Sequence, residues 1–192
     1  MDDRRTFLKT AAMAAWMAGS AAAARARPPS PHGLHCVVID DRHAESIAFA
    51  QEAHRLGTSG RLTQGDVTQL WYEELHAQWR RQPVAIAGLT EHGPLFCLER
   101  WAWDHGMRVV LRVDHHRRAD GRTRHLVAAE GVPTLLQRRL DAAGAEYPVA
   151  AARAAHRCVQ GRYQVSSPAG VQCAADDPEP LISWVIAPIQ RA

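Results

Sequence analysis

The sequence predicts one α/β domain over residues 34–192, with three layers and a mostly parallel sheet in the order β-α-β-α-β-α-β. Short apolar runs alternate with segments whose apolar residues recur every three or four positions, and the connections are short. That alternation is typical of a parallel sheet flanked by helices. The pattern changes after residue 113, where we expect an antiparallel hairpin and C-terminal strands to extend the sheet.

The first three strands and helices follow from periodicity and from residues that start or stop helices. Strands are predicted at 34–39, 61–63 (weakly) and 84–89, and helices at 44–56, from Asp66 onward and at 95–103. Asp66 and Gln69 have the spacing of a capping box, in which each side chain bonds the other residue's backbone N–H. The 95–103 helix is apolar on nearly all sides, so we expect it to be well covered.

The second half of the chain begins with a strand at 108–113 that continues into a hairpin. Asp120-Gly121 is a strong signal for a two-residue turn, and it places His116 opposite His125. The same register puts Asp114 opposite Val127 and Arg117 opposite Arg124.

Further elements are a helix from Pro133 with Leu135, Leu136 and Leu140 facing the core, a helix at 149–159, a hairpin at 162–166 and 171–173, and a buried strand at 181–187.

The first 26 residues have the composition of a cleavable export signal. Arg4 and Arg5 precede an alanine-rich run over residues 10–24, and Ala24-Arg25-Ala26 is a small-x-small cleavage motif. The run is shorter than the about 20 apolar residues that a membrane-spanning helix needs. A proline-rich leader over residues 27–33 follows, and we expect it to be extended and mobile.

The residues Arg4-Arg5-Thr6-Phe7-Leu8-Lys9 resemble the twin-arginine (Tat) export signal of bacteria. The resemblance covers this signal alone. Asp3 departs from it, because Ser or Thr is usual there, and an ordinary Sec signal is the alternative. The resemblance implies that the Tat translocase exports the folded chain to the periplasm. It also implies that a cofactor, or a partner that carries one, is common among such proteins, but the sequence leaves the cofactor unknown.

Composition excludes several classes of site. Lys9 is the only lysine, so the chain after the signal has none for a Schiff base or a phosphate-binding P-loop. Loss of the signal removes four cationic and two anionic side chains, which lowers the formal charge from +3 to +1. A charge so near zero gives no electrostatic footprint for nucleic acid. The mature sequence also contains no apolar run long enough for a transmembrane span.

The four cysteines contain no Cys-x-x-Cys motif, so a thioredoxin-like site or a zinc ribbon is not expected. Cys158 and Cys173 are the best pair for a disulfide, because they are close in sequence and the periplasm is oxidising. Cys36 and Cys97 lie in apolar segments, where cysteine usually acts as a small hydrophobic residue.

Carboxylates and imidazoles that follow the predicted strands give the sharpest site hypothesis. Ligands of open α/β sheets lie at the carboxyl ends of the strands, and these side chains can bind a metal or exchange protons. The candidates for catalytic or ligand-binding roles are Asp40, His43, Glu91, His92 and Asp114. Asp41 and Asp66 stand at similar ends, but their positions favour helix caps.

Two weaker sites are also predicted. Backbone N–H groups around Thr90 and Gly93, at the start of a helix, can hold an anion. His115, His116 and His125 are weak metal candidates on the hairpin, which can also carry them away from the other strand ends. The hairpin is strongly basic, so it either meets an anionic partner or is simply solvated.

Two functions stay open at this point. The first is an exported binding or accessory protein of the cell envelope, with an unknown ligand and a protein partner such as a periplasmic redox system. The alternative is a small periplasmic enzyme, metal-assisted or not, that uses the strand-end carboxylates and histidines. The two can be separated by asking whether those side chains meet in one place.

Overall fold

Six strands form one sheet in the computed structural model of the protein, which describes residues 33–127, 133–162 and 179–188. The strands are β1 (Leu34–Ile39), β2 (Ser59–Leu62), β3 (Ala85–Thr90), β4 (Met107–Arg117), β5 (Thr123–Val127) and β6 (Leu181–Pro188). Their order across the sheet is β2-β1-β3-β6-β4-β5. The predicted α/β class is confirmed.

The helices lie between successive strands and close to their predicted positions. They are α1 (Ala44–Arg55), α2 (residues 68–81), α3 (His92–Trp103), α4 (Pro133–Ala143) and α5 (Tyr147–Arg157). Within α2, a π-helical turn (Trp71–Leu75) separates two α-helical pieces, Thr68–Leu70 and His76–Arg81. A 3-10 turn (Gly144–Glu146) joins α4 to α5, and a π-helical turn (Cys158–Arg162) follows α5. In the described part of the chain, no helix has both the length and the apolar character to cross a membrane.

The sheet is mixed rather than mostly parallel. β1 runs parallel to β2 and β3, whereas β6 lies antiparallel between β3 and β4, and β5 is antiparallel to β4. β3 and β4 therefore have the same direction, as consecutive β-α-β units should, but they are not neighbours. β6 suits the central place because it is apolar on both faces, and only an interior strand is covered on both sides.

Two hydrophobic clusters, one on each face of the sheet, form the core. Helices α1, α4 and α5 cover the face that carries Val37 and Val185, and helices α2 and α3 cover the face that carries Val38 and Trp184. Neighbouring residues of a strand point to opposite faces, so β1 and β6 contribute to both clusters. The fully buried Trp79 and Trp184 belong to the second cluster.

The hairpin between β4 and β5 forms, but its predicted register was wrong by one residue. His115, not His116, lies opposite His125. A two-residue turn of the expected type needs positive φ at both Asp120 and Gly121, and of the two only Gly121 has it, at 78°. The loop has three residues, with the glycine in the last position. With this register, Asp114 pairs with Leu126 and Arg117 pairs with Thr123. The difference matters because a register slip of one residue moves the side chains of a strand to the other face of the sheet.

Two expectations about helix burial were also wrong. The outer face of α3 exposes 49% of Phe96 and 43% of Trp103, and Cys97 is exposed beside them. Leu135 of α4 is 51% exposed, although Leu136 and Leu140 are buried as predicted. Each helix packs on the sheet through one side only, so apolar residues on the other side are left in solvent.

The capping box predicted at the start of α2 is not formed. Asp66 Oδ1 accepts a hydrogen bond from the backbone N–H of Thr68 at 2.8 Å. The Gln69 side chain donates to Glu73 at 2.9 Å, one turn further along the helix, instead of reaching back. Asp66 therefore fixes the chain before the helix, but the N-cap residue is Val67 and no side chain caps it, so the cap expected from Asp66 is not formed.

Three predictions fall on residues outside the described ranges. The export signal and the leader lie there, as does nearly all of the hairpin at 162–166 and 171–173. Cys158 is buried at the end of α5, but Cys173 is outside the described residues, so the disulfide stays a prediction.

The contact between β3 and β6 predicts a position that tolerates no side chain. A Cβ on Gly88 would come within 2.6 Å of Trp184 Cζ2 on the opposed residue of β6. We expect Gly88→Ala to lower the free energy of unfolding by about 1–3 kcal/mol, as overpacking does in cores. Urea denaturation checks this. Gly93→Ala is the control, because a Cβ there meets no described atom within 4 Å. The free energy of unfolding of this variant should be unchanged or slightly raised. Equal effects of the two substitutions would contradict the packing argument.

Candidate functional site

Three of the five predicted strand-end residues meet at one point of the sheet. Asp40 and His43 follow β1, and Glu91 follows β3, which is the parallel neighbour of β1. One oxygen or nitrogen of each side chain lies within 4.8 Å of the others. We call these three residues the strand-end cluster. The carboxyl ends of adjacent parallel strands do bring these residues together, as the sequence predicted.

Asp40 is the buried member of the strand-end cluster. Its side chain has no exposed surface, and its backbone N–H donates to Ser46 Oγ at 2.9 Å. The guanidinium of Arg42 donates to both carboxylate oxygens, from Nε at 2.8 Å and from Nη2 at 2.6 Å. This hydrogen bonding lowers the pKa of Asp40, although burial partly opposes it. Asp40 is therefore held ionised and fixed in position.

His43 presents a ring nitrogen to both carboxylates. Its Nε2 lies 3.2 Å from Glu91 Oε1 and 3.8 Å from Asp40 Oδ2. The atom is shielded from solvent and makes no hydrogen bond with any described residue. An imidazole nitrogen that is close to two carboxylate oxygens but bonded to neither is well placed to bind a cation between them.

Arg42 completes the site, and sequence reasoning missed it. Besides Asp40, its Nη2 donates to Glu91 at 2.9 Å, so one cation bridges both carboxylates. The guanidinium lies over Gly65, where a Cβ would collide with it. Gly65 also has a φ of 85°, a conformation that glycine adopts without strain. The Arg that follows Asp40-Asp41 was the available signal, since a carboxylate buried at a strand end needs a counter-charge.

The other two predicted members lie elsewhere. The His92 ring is exposed and lies beside the tilted ring of Phe96, with 5.8 Å between the ring centroids. Asp114 is buried and accepts a hydrogen bond from Arg112 at 3.0 Å. Because β3 and β6 separate β4 from β1, Asp114 is three strand spacings from Asp40, or roughly 14 Å.

The predicted anion site around Thr90 and Gly93 is engaged within the protein. Thr90 is buried, and its hydroxyl accepts a bond from Trp184 Nε1 at 3.0 Å and donates to the Glu91 carbonyl at 2.9 Å. The backbone N–H of His92, at the start of α3, donates to a Glu179 carboxylate oxygen at 3.3 Å. The anion next to this helix terminus is therefore a side chain of the same chain.

The hairpin histidines form a buried pair on the opposite face of the sheet from α3. His115 Nδ1 and His125 Nδ1 are 2.7 Å apart, and His115 Nε2 is 2.9 Å from Ser183 Oγ on β6. The Tyr147 ring of α5 lies 4.5 and 4.9 Å from the two imidazole centroids. Burial lowers the pKa of both histidines. His116 does not join them, because adjacent residues of a strand face opposite ways.

The basic hairpin is mostly solvated surface. Arg117, Arg118, Arg122 and Arg124 are exposed, and Arg112 is the partly buried exception that pairs with Asp114. Arg117 reaches Glu45 of α1 at 3.9 Å. These arginines are therefore solvated, which is the simpler of the two expectations for the basic hairpin.

A second group of metal-ligand side chains was not predicted. His35 and Cys36 of β1 and Glu74 of α2 each place a donor atom within 4.8 Å of the others. We call these three residues the thiol cluster. Glu74 lies four residues after Leu70 and three after Trp71, on the apolar stripe of α2. A carboxylate in that stripe was a signal that could have been found from the sequence.

Comparisons with protein-family models, with curated proteins and with solved structures give no match to this chain. The strand-end cluster is therefore the feature of the molecule from which a function can be inferred.

The buried histidine pair predicts that acid destabilises the fold. In the unfolded chain His115 and His125 titrate near a pKa of about 6.5, whereas burial lowers both values in the folded state. Below about pH 6.5 the unfolded state therefore binds more protons than the folded state. The free energy of unfolding falls as the pH is lowered further, until the pH is below the pKa values of the folded state. The loss approaches ~1.4 kcal/mol per pH unit for each histidine.

Denaturation of the wild type and of His115→Gln/His125→Gln between about pH 7.5 and 5 measures this effect. The double variant should lose most of the pH dependence, although His156, whose pKa burial also lowers, retains part of it. His54→Gln is the control, because His54 is exposed on α1 and unfolding changes its surroundings little. Identical slopes for the wild type and the double variant would refute this role of the pair.

Proposed function

We propose that the protein is an exported accessory protein of the cell envelope, and that its strand-end cluster binds a divalent metal cation. The observation that carries this proposal is the position of His43 Nε2, which is shielded from solvent, has no hydrogen bond among the described residues and lies between two carboxylates. Buried polar atoms are normally hydrogen-bonded, so a buried nitrogen that contacts a carboxylate without a hydrogen bond calls for a specific reason. A bound cation would supply one.

The donor atoms indicate the class of metal. Two carboxylate oxygens and one imidazole nitrogen suit the borderline Zn²⁺ or the harder Mn²⁺ better than a soft ion such as Cu⁺. Metal–ligand distances of about 2.0–2.2 Å place neighbouring donors roughly 3.3–3.6 Å apart, and the 3.2 and 3.8 Å from His43 Nε2 to the two carboxylates are already close to that spacing. The charges of Asp40 and Glu91 would together neutralise a divalent ion.

Arg42 explains how the site is stable without a metal. Two carboxylates this close repel each other, and the guanidinium supplies the opposite charge to both. Nearly half of the Arg42 side chain is exposed, so it can turn into solvent when a divalent ion takes over its role. Metal and guanidinium then compete for the same two carboxylates.

A metal titration of the purified mature protein tests the proposal. We expect one Mn²⁺, which prefers oxygen ligands to thiolates, to bind in calorimetry, and Glu91→Gln and His43→Gln each to weaken binding by tenfold or more. Arg42→Gln should strengthen it by at least tenfold, since a unit charge at about 4 Å is worth several kcal/mol at a protein surface. Asp41→Asn is the matched control, because it removes a neighbouring negative charge without removing a ligand.

The Arg42 variant decides between a metal site and a plain ion-pair network. If Arg42→Gln lowers stability and gains no metal affinity, Arg42, Asp40 and Glu91 form a structural network, and the proposal fails. Equal losses of affinity in Glu91→Gln and Asp41→Asn would also count against it, because they would reflect long-range charge and not coordination.

A metal-assisted enzyme is the second candidate, and the number of ligands favours it. The strand-end cluster supplies three side chains, and catalytic zinc sites typically have three protein ligands and one open position for water or substrate. Metal-dependent hydrolysis of model carboxylic or phosphate esters that disappears in Glu91→Gln would support this candidate. Metal binding without such hydrolysis favours the accessory role.

The exported location rests on Arg4 and Arg5, and it has its own test. We expect Arg4→Lys/Arg5→Lys to leave the precursor in the cytoplasm, because the twin-arginine signal that these residues resemble requires the pair. Immunoblots of periplasmic and cytoplasmic fractions measure the distribution. Normal export of the double variant would indicate a Sec signal instead.

A further inference from the structure

Two irregularities of the backbone meet at the thiol cluster. The pairing of β1 with β3 steps from Leu34 opposite Ala85 to Cys36 opposite Ile86, so His35 is an extra residue that forms a β-bulge. On the covering helix, Glu74 lies within the π-helical turn of α2. Such bulges and π turns re-aim side chains and are frequent at functional sites. Here they direct three potential metal ligands toward one another.

The geometry of the cluster is close to that of a ligand set. His35 Nε2 is 2.7 Å from Glu74 Oε1, and Cys36 Sγ lies within 4.8 Å of both donor atoms. Cys36 is fully buried, whereas His35 and Glu74 keep 18% and 25% of their side chains exposed. An ion can therefore reach the imidazole and the carboxylate from solvent, and the sulfur lies behind them.

Arg61 of β2 neutralises Glu74 in the same way that Arg42 neutralises the strand-end carboxylates. Its guanidinium donates to both carboxylate oxygens, including a contact of 3.0 Å from Nη2 to Oε1. His35 contacts the same carboxylate at 2.7 Å. With Arg61 paired to it, Glu74 supplies the negative charge that a metal site needs.

We propose that His35, Cys36 and Glu74 form a second metal site, which takes a thiophilic divalent cation such as Zn²⁺. As the metal–sulfur bond forms, the Cys36 thiol releases its proton to solvent. The resulting thiolate and the Glu74 carboxylate balance the two positive charges, and Arg61 turns outward. Sulfur, nitrogen and oxygen ligands in one set are typical of zinc sites, and a coordinated thiol is deprotonated by the ion itself.

This site is independent of the strand-end cluster. Cys36 and Asp40 lie on the same strand and its end, four residues apart, which corresponds to roughly 13 Å. The two sites also differ in chemistry, because only the thiol cluster contains sulfur. A cobalt ion bound through thiolate gives an intense near-ultraviolet charge-transfer absorption that oxygen and nitrogen ligands do not give, so one probe distinguishes the sites.

Cobalt titration of the reduced mature protein tests the second site. We expect one equivalent of Co²⁺ to produce the thiolate charge-transfer band, and Zn²⁺ to abolish it by displacement. Cys36→Ser should remove the band and Glu74→Gln should weaken Co²⁺ binding by tenfold or more, whereas Cys97→Ser, at an exposed cysteine of α3, should leave both unchanged.

The band should persist in Glu91→Gln, so that failure of the strand-end proposal and failure of this one are separate results. The second site is refuted if the wild type gives no thiolate band, or if the band survives Cys36→Ser. Circular dichroism of Cys36→Ser establishes that the variant is folded. If it is not, the result for Glu74→Gln, whose carboxylate is partly exposed and less critical to the core, decides the question.

Discussion

The place of β6 in the sheet determines which polar residues can meet. By lying between β3 and β4, β6 puts three strand spacings between the ends of β1 and β4. Asp40 and Glu91 thus stay together on adjacent parallel strands, while Asp114 is left with Arg112. The same insertion brings Ser183 beside His115 and closes the buried histidine pair. Trp184 holds the insertion in place, since its indole fills the space above Gly88 and donates to Thr90.

Both candidate metal sites solve the same electrostatic problem in the same way. A carboxylate withdrawn from water is costly unless an opposite charge and hydrogen bonds accompany it. Asp40 and Glu91 share Arg42, and Glu74 has Arg61. Each arginine approaches from a partly exposed position, so its replacement by a divalent ion need not disturb the core. The ends of β1 therefore carry two preformed sets of donors, one of oxygen and nitrogen only and one with sulfur.

The sequence predicted most of the helices and strands, but it predicted the order and the register of the strands less well. Apolar periodicity located β1, β3, β6 and the main helices, because burial on one or both faces leaves a direct pattern. It could not show that β6 lies between β3 and β4, since any interior place satisfies a strand that is apolar on both faces. The hairpin register depended on whether Asp120 adopts positive φ, which the Asp-Gly pair alone does not decide. Asp40, His43 and Glu91 were predictable from adjacent parallel strands. Arg42 and Glu74 left weaker local signals, and the pairing of Glu74 with His35 and Arg61 depends on contacts between distant parts of the chain.

A divalent ion should replace the Arg42 guanidinium between Asp40, His43 and Glu91. Anomalous diffraction from crystals grown with Zn²⁺ or Mn²⁺ measures this. We expect an anomalous peak about 2.0–2.2 Å from Asp40 Oδ2, His43 Nε2 and Glu91 Oε1, with Arg42 turned into solvent. Arg42 still bridging the two carboxylates, with no peak at the strand-end cluster, would contradict it.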